Sequence, residues 1–411
     1  MFTRILSIAS RTLRMDASKV FRQGSWVISE TMVTAISSFL VMVVMANILP
    51  KDVYGTYKYI LALGAMLTTF SLTGLPTALT RAIAQGSDRS FVQGCVLGLR
   101  WSVGITVGAT ACALYYHFNN NDVMALGLLF AGIALPVIKN FQLYESYLSG
   151  TLHFKQKTII AGLQQLFFGV LLASVAYFSG SVLVLVGTFF FSQALVYSVT
   201  FVYVLTTYRP RTNATPETFE YSKHLSAMSI LSEVANQIDE VLTFHFLGAA
   251  QLATYTVALN LPKRLKGIFY NFSNIILPYL STKDVRTIRK TVPHKVFLLF
   301  CLLSSVTLVY ILSAPYIFTY LFPQYTEAVI YSQVGALTIL FTSTMPFRQA
   351  LLAHAQKRSL YISQISIPLC KILLTLILLP RYGIWGVVTA LLLTRLYNSI
   401  LYSILFMRMR L

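Results

Sequence analysis

What most constrains this chain is a succession of apolar stretches, each about 20 residues long, parted by short polar turns. A helix rising about 1.5 Å per residue needs that length to cross a hydrocarbon core of about 30 Å. Inside lipid every backbone polar group must find an internal partner, so only helices and closed barrels span. Barrel strands would alternate over about ten residues, whereas these runs are continuously apolar. The sequence therefore predicts an all-α polytopic membrane protein. Spans are expected near Trp26–Leu49, Tyr57–Leu79, Gln93–Tyr116, Val123–Leu148, Ile159–Phe178, Val182–Leu205, Lys223–Gly248, Leu252–Leu280, Val296–Phe318, Ala328–Ala353, Tyr361–Leu379 and Ile384–Phe406, about twelve in all.

Charge sets the orientation. The net charge is +19, which in a soluble protein would suggest nucleic acid. In a chain that is 56% hydrophobic and 11% charged, Lys and Arg instead mark cytoplasmic loops and anionic lipid surfaces, and no nucleic-acid partner is expected. With the N-terminus inside, the inside segments hold 22 of the 32 Lys and Arg and the outside turns hold three. Both termini are thus expected in the cytoplasm, with an even number of spans. The remaining seven lie within spans: Arg100, Lys263, Arg264, Lys266, Arg348, Lys371 and Arg395.

The expected organisation is a basic N-terminal segment at 1–24 lying on the inner surface, a first lobe at 25–205, a cytoplasmic linker at 206–222, a second lobe at 223–406 and a tail at 407–411. The first segment lacks the apolar core of a cleaved signal. No P-loop pattern occurs, the six histidines do not cluster at metal-ligand spacing, and the four cysteines are scattered through apolar runs. No cofactor is expected, and energy must come from a gradient or a partner. A faint repeat of about 200 residues relates the lobes. ANILPKDVYGTYKYILAL matches FHFLGAAQLATYTVALNL, GLPTALTRA matches NIILPYLST, and GTLHFKQKTII matches AHAQKRSLYIS. Parallel repeats of this kind recur in secondary transporters.

The seventh span is the most telling. KHLSAMSILSEVANQIDEVLTFHFLG is long enough to cross, yet it carries Glu233, Asp239 and Glu240. Carboxylates at that depth are costly and face a protein interior, a partner or a wet cavity. Ser226, Ser229, Glu233, Asn236, Glu240 and Thr243 recur at three- and four-residue steps, on one helix face. That face is expected to wall a polar pathway. Glu30, with Thr34 and Ser37 on one face of the first span, offers a counterpart in the first lobe.

NQIDEVLTFHFLGAAQLATYTVALNLP, together with NILPKDVYGTYKYI and the GLPTALTRAIAQ that follows it, resembles the signature of bacterial oligosaccharide flippases of the Wzx-type polysaccharide-export family. That family lies in the superfamily of the multidrug/toxin extrusion and lipid II flippase transporters. The resemblance implies twelve helices in two six-helix lobes around a central cavity. It implies a flippase, not an enzyme, that carries undecaprenyl-diphosphate-linked oligosaccharide repeat units from the cytoplasmic to the periplasmic leaflet of the inner membrane. Alternating access coupled to H⁺ or Na⁺, in O-antigen or capsule-type polysaccharide synthesis, is the implied mechanism. Membrane lipids, a polysaccharide polymerase and chain-length machinery are the implied partners, and a monomer the expected state. The family's seventh-span acidic residue falls on Asp239.

Such a cargo has a hydroxyl-rich head, and each hydroxyl stripped of water without a partner costs a few kcal/mol. Its diphosphate asks for fixed cations. Arg100, Arg348, Lys371 and Arg395 are the candidates for a cationic cavity; the plainer alternative is that they snorkel, or neutralise Glu30, Glu145, Glu233 or Glu240. Lys263, Arg264 and Lys266 follow Pro262, which suggests a broken helix or gate. Asp239 and Glu240, with Asn236 and Thr243 a turn either side, are candidates for a coupling cation; the alternative is an ion pair with a cavity arginine. Two further functions compete: a cation-coupled drug or metabolite antiporter, and a membrane glycan polymerase or ligase. The second would need outside loops for its chemistry, and every outside turn here is short.

Overall fold

The computed structural model describes residues 17–210, 217–281, 284–354 and 356–409. Most of the basic segment 1–24, residues 211–216 of the linker and the last two of the tail lie outside them. Among the described residues all regular structure is helical: α1 (Ala17–Ile48), α2 (Lys51–Leu67), α3 (Leu75–Ala84), α4 (Ser90–Phe118), α5 (Asp122–Phe141), α6 (Tyr144–Gly150), α7 (Phe154–Phe178), α8 (Val182–Tyr208), α9 (Glu217–Leu247), α10 (Ala249–Ser281), α11 (Val285–Leu321), α12 (Ala328–Ala336), α13 (Met345–Ala353), α14 (Lys357–Tyr382) and α15 (Ile384–Met407).

Nine stretches among the described residues are long and apolar enough to cross a membrane, or up to ten if the bent pair Lys51–Phe70 and Leu75–Ala84 is one span. That pair turns by 58°, where Ser71–Gly74 interrupts the helix and Pro76 sits at the start of α3. The two charge-bearing helices, α9 and α10, are 31 and 33 residues long but fall outside the nine. The helices turn apolar faces outward: Val170 is 68% exposed and Leu312 65%. Water would not tolerate so much apolar surface, and lipid requires it. This is a multi-pass membrane protein.

Buried polar atoms show how the helices cope with lipid. Pro136 lies inside α5 and cannot donate to the carbonyl of Gly132. The hydroxyl of Thr106 on α4 donates to that carbonyl instead, at 2.9 Å. The amide of Asn140 donates to the carbonyl of Pro136 at 2.6 Å and to the hydroxyl of Ser102 at 2.8 Å. Pro262 behaves differently from its expectation: α10 runs unbroken through it, so no broken helix forms there.

The chain divides into two compact units, one of residues 1–45 and 67–227, the other of 46–66 and 228–411. The first has a core around Leu75, Leu79, Phe91, Tyr144, Tyr147 and Phe201. The second has cores around Ile288, Val292, Phe347 and Phe406, and around Tyr310 and Ile339. Residues 46–66, assigned from the sequence to the first lobe, are held in the second unit. There the two repeat-related turns pack directly. A Cβ on Gly55 would stand 1.9 Å from the carbonyl oxygen of Ala249, so no larger residue fits. Tyr59 stacks on Phe244 with ring centroids 3.8 Å apart. The side chain of Asn47 donates to the carbonyl of Leu321, and that of Gln324 to the carbonyl of Asn47, both at 2.8 Å. Lys51 pairs with Glu327 at 2.8 Å, and Thr254 donates to the same carboxylate oxygen at 3.0 Å. The Lys51 hydrogen bond holds the Glu327 carboxyl below its ordinary range.

Candidate functional site

The second unit holds two adjoining cavities. The larger, of about 420 Å³, is walled by single faces of α9, α14 and α15 and by the segment through α13. From α9 come Ser232, Ala235 and Asn236; from α14, Ser363, Gln364, Ile367, Pro368 and Lys371; from α15, Leu391, Thr394, Arg395, Asn398 and Tyr402. Each set recurs every three or four residues, in places as an adjacent pair, as one helix face must. Lys266 and Arg348 complete the charged wall. The smaller cavity, of about 270 Å³, shares Asn236, Lys266, Lys371, Leu391 and Arg395 and adds Asp239 and Lys263. The larger cavity is thus lined by four cations and no carboxylate.

Asp239 is the one carboxylate on these walls, and it is 1% exposed. Lys371 donates to its Oδ1 at 3.0 Å and also to the carbonyl of Ala235. The hydroxyl of Tyr255, itself fully buried, donates to Oδ2 at 2.5 Å. Lys263 stands 4.0 Å from Oδ2 and 3.6 Å from Glu240. The carboxylate therefore sits among the chain's own donors. A coupling cation would have to displace an ammonium to reach it; the carboxylate is ion-paired, with Lys371 and Lys263 rather than with the expected cavity arginine.

The face of α9 is rotated from its expected position. Ser232, Ala235, Asn236 and Asp239 line cavities, whereas Glu233 is half-buried and lines neither. Thr243 is buried with its hydroxyl on the carbonyl of Asp239. Ser226 belongs to the first unit, where its hydroxyl accepts from the backbone N–H of Gly74 at 2.9 Å. Of the cations, Arg348, Lys371 and Arg395 come together as grouped in the sequence, joined by Lys263 and Lys266. Arg264 lines neither cavity and donates to Asn260. Arg100 is in the first unit, exposed in a groove of about 320 Å³ with Arg89, Gln93 and Val96.

Glu30 is also in the first unit, in a charged group of its own. Lys157 stands 3.2 Å from its Oε1 and 4.0 Å from Glu145, which accepts a hydrogen bond from Gln142 at 3.1 Å. The other oxygen of Glu30 is buried without a hydrogen-bond partner. Thr158, next in the chain, donates to the carbonyl of Trp26 at 3.0 Å and ties α7 to α1. Lys157 counted in the sequence as a loop charge. Its place in the first turn of α7 is what brings it to Glu30. Tyr255 gave one signal, its pairing with Tyr57 in the repeat.

These features define a class: the fold is that of the transporters of the MOP superfamily. A multidrug resistance MATE family transporter of that superfamily, in an inward-facing conformation, matches with a TM-score of 0.67 at 13% identity, over 91% of this chain and 94% of that one. The lipid II flippase MurJ, in an inward closed conformation, matches with a TM-score of 0.61 at 13% identity, over 91% and 87%. A MOP superfamily transporter from Pyrococcus furiosus, described by the reverse polarity of its binding pocket, matches with a TM-score of 0.55 at 14% identity, over 94% and 95%. No curated protein matches the sequence. Within the class the family is defined by sequence: residues 20–284 match the family described as polysaccharide biosynthesis protein, and the chain belongs to it.

Proposed function

We propose that this protein is a flippase for an undecaprenyl-diphosphate-linked oligosaccharide, carried by alternating access from the cytoplasmic to the periplasmic leaflet of a bacterial inner membrane. The observation that carries this reading is the larger cavity, with Lys266, Arg348, Lys371 and Arg395 on its wall and no carboxylate among its lining residues. Half-buried cations clustered on one wall repel one another, and a diphosphate relieves that repulsion. Arg offers forked contacts to phosphate oxygens and Lys a point charge. Ser363, Gln364, Thr394 and Asn398 add donors and acceptors for sugar hydroxyls. An antiporter for organic cations would need walls of the other sign. Membership of the polysaccharide biosynthesis family supports the glycan, and the likeness in fold to a lipid II flippase supports the lipid carrier.

Counting the bent pair as one span, and adding α9 and α10 to the apolar stretches, gives the twelve spans of the sequence reading, with both termini cytoplasmic. Coupling to H⁺ or Na⁺ belongs to the Glu30–Lys157–Glu145 group, where one oxygen of Glu30 is buried without a hydrogen-bond partner, and not to Asp239.

Reconstituted vesicles carrying a fluorescent undecaprenyl-diphosphate oligosaccharide test the proposal, with inner-leaflet glycan scored by protection from an impermeant lectin. Wild-type protein is expected to equilibrate the glycan between leaflets. Arg348→Ala and Arg395→Ala are expected to slow it while still inserting. Full translocation by both variants would remove the assignment.

A further inference from the structure

Lys371 is shared between two claims. It lies on the wall of both cavities, and its ammonium is bonded to Asp239 and to the carbonyl of Ala235. The lysine side chain is 14% exposed and the aspartate side chain 1%, so the cation fronts the cavity and the carboxylate stands behind it. We propose that Asp239 is an internal counter-ion, which holds the Lys371 ammonium while the cavity is empty and yields it to the phosphate of the cargo when the cavity fills. The proposal rests on the anionic cargo argued above, and adds that the cargo must outcompete a carboxylate already in place.

The arrangement around Asp239 permits that exchange. A buried carboxylate stripped of its partner is strongly disfavoured. Asp239 would keep the Tyr255 hydroxyl on Oδ2, and Lys263 is already 4.0 Å away. Lys263 now stands nearer Glu240, so a short movement towards Asp239 replaces the departing ammonium. Glu240 is less buried than Asp239 and loses less by being left. Lysine suits the role of the transferred group, since its compact charge rides on a flexible stem. A neutral lipid offers nothing that could take the ammonium from a carboxylate. Asp239 thereby acts on specificity: it is a positioning residue that excludes uncharged cargo and keeps the empty cavity partly neutralised.

Binding of inorganic pyrophosphate to the full chain in lipid nanodiscs, followed by calorimetry, tests the exchange. Asp239→Asn removes the competitor and is expected to tighten binding by roughly tenfold, the scale of one charge-assisted hydrogen bond. Lys371→Ala is expected to weaken it, and the double variant to bind no more tightly than Lys371→Ala alone. A merely structural aspartate would give loss of affinity, since damage does not tighten a site. Asp239→Asn binding equal to or weaker than wild type overturns the counter-ion role and leaves the anionic cavity standing. Binding by Asp239→Asn alone, with none by wild type, supports the role in its strongest form. No binding by either protein overturns both the role and the cationic-cavity reading.

Discussion

The two units carry opposite versions of one charged motif. In the first, a lysine stands between two carboxylates: Lys157 is 3.2 Å from Glu30 and 4.0 Å from Glu145. In the second, a carboxylate stands between two lysines: Asp239 is 3.0 Å from Lys371 and 4.0 Å from Lys263. The first sets two carboxylates around one close lysine, and Lys139 also acts on Glu145. The second has a surplus of positive charge, reduced by Glu240 beside Lys263 and restored by Lys266, Arg348 and Arg395 on the cavity walls. In a low-dielectric interior the sign of such a surplus decides what is drawn in. The surplus of the second cluster favours the anionic cargo proposed above, and the partnerless oxygen of Glu30 is where the proposed coupling ion would act.

The sharpest way to break this comparison is to reverse one sign. Lys371→Glu would set a second carboxylate against Asp239, and is expected to abolish vesicle translocation, a loss of about a hundredfold or more at the scale of a broken buried pair. Translocation near the wild-type rate would erase the distinction between the units. Neutral truncations come next. Arg348→Ala and Arg395→Ala each are expected to cut translocation by about tenfold, the cost of one charge-assisted phosphate contact. Glu30→Gln sharpens the other half. Translocation should fall only a few-fold, on the scale of a single hydrogen bond, while its response to an imposed proton or sodium gradient disappears. A gradient response surviving in Glu30→Gln and lost in Asp239→Asn would move coupling to the second unit.

The smallest expected effect lies at the Lys51–Glu327 pair. Its carboxyl is held below the ordinary range, so its contribution is present at neutral pH and is lost as pH falls through the lowered value. Glu327 has a side chain 55% exposed, and screening keeps the contribution small. The melting temperature of wild type should exceed that of Glu327→Gln by about a degree or two at pH 7, and the difference should shrink as the medium is made acidic enough to protonate the folded-state carboxyl. A difference unchanged with pH would separate the pair from stability.

Much of this was legible in the sequence because lipid leaves few choices. Apolar runs of spanning length are helices, and a charge within one must face something other than lipid. Of the seven cations within expected spans, Lys263, Lys266, Arg348, Lys371 and Arg395 line the two cavities, while Arg100 and Arg264 do not. What escaped was rotation and long-range pairing. A helix turns by about 100° per residue, so the wall of α9 falls on Asp239 when spacing alone puts it on Glu233 and Glu240. Lys157 sits at a helix start, where a sequence shows only a loop charge, and its partner lies in α1. Residues 46–66 pack with the second unit through contacts such as Gly55 on Ala249, made across nearly two hundred residues of chain, which periodicity cannot reveal.

The most direct measurement is equilibrium binding of a labelled undecaprenyl-diphosphate oligosaccharide to the purified full chain in nanodiscs, beside the same glycan on a neutral polyprenol and with a lipophilic organic cation as competitor. The account predicts tight binding of the diphosphate form, weak binding of the neutral form, and no competition by the cation. Equal binding of the neutral form, or displacement by the cation, would contradict it.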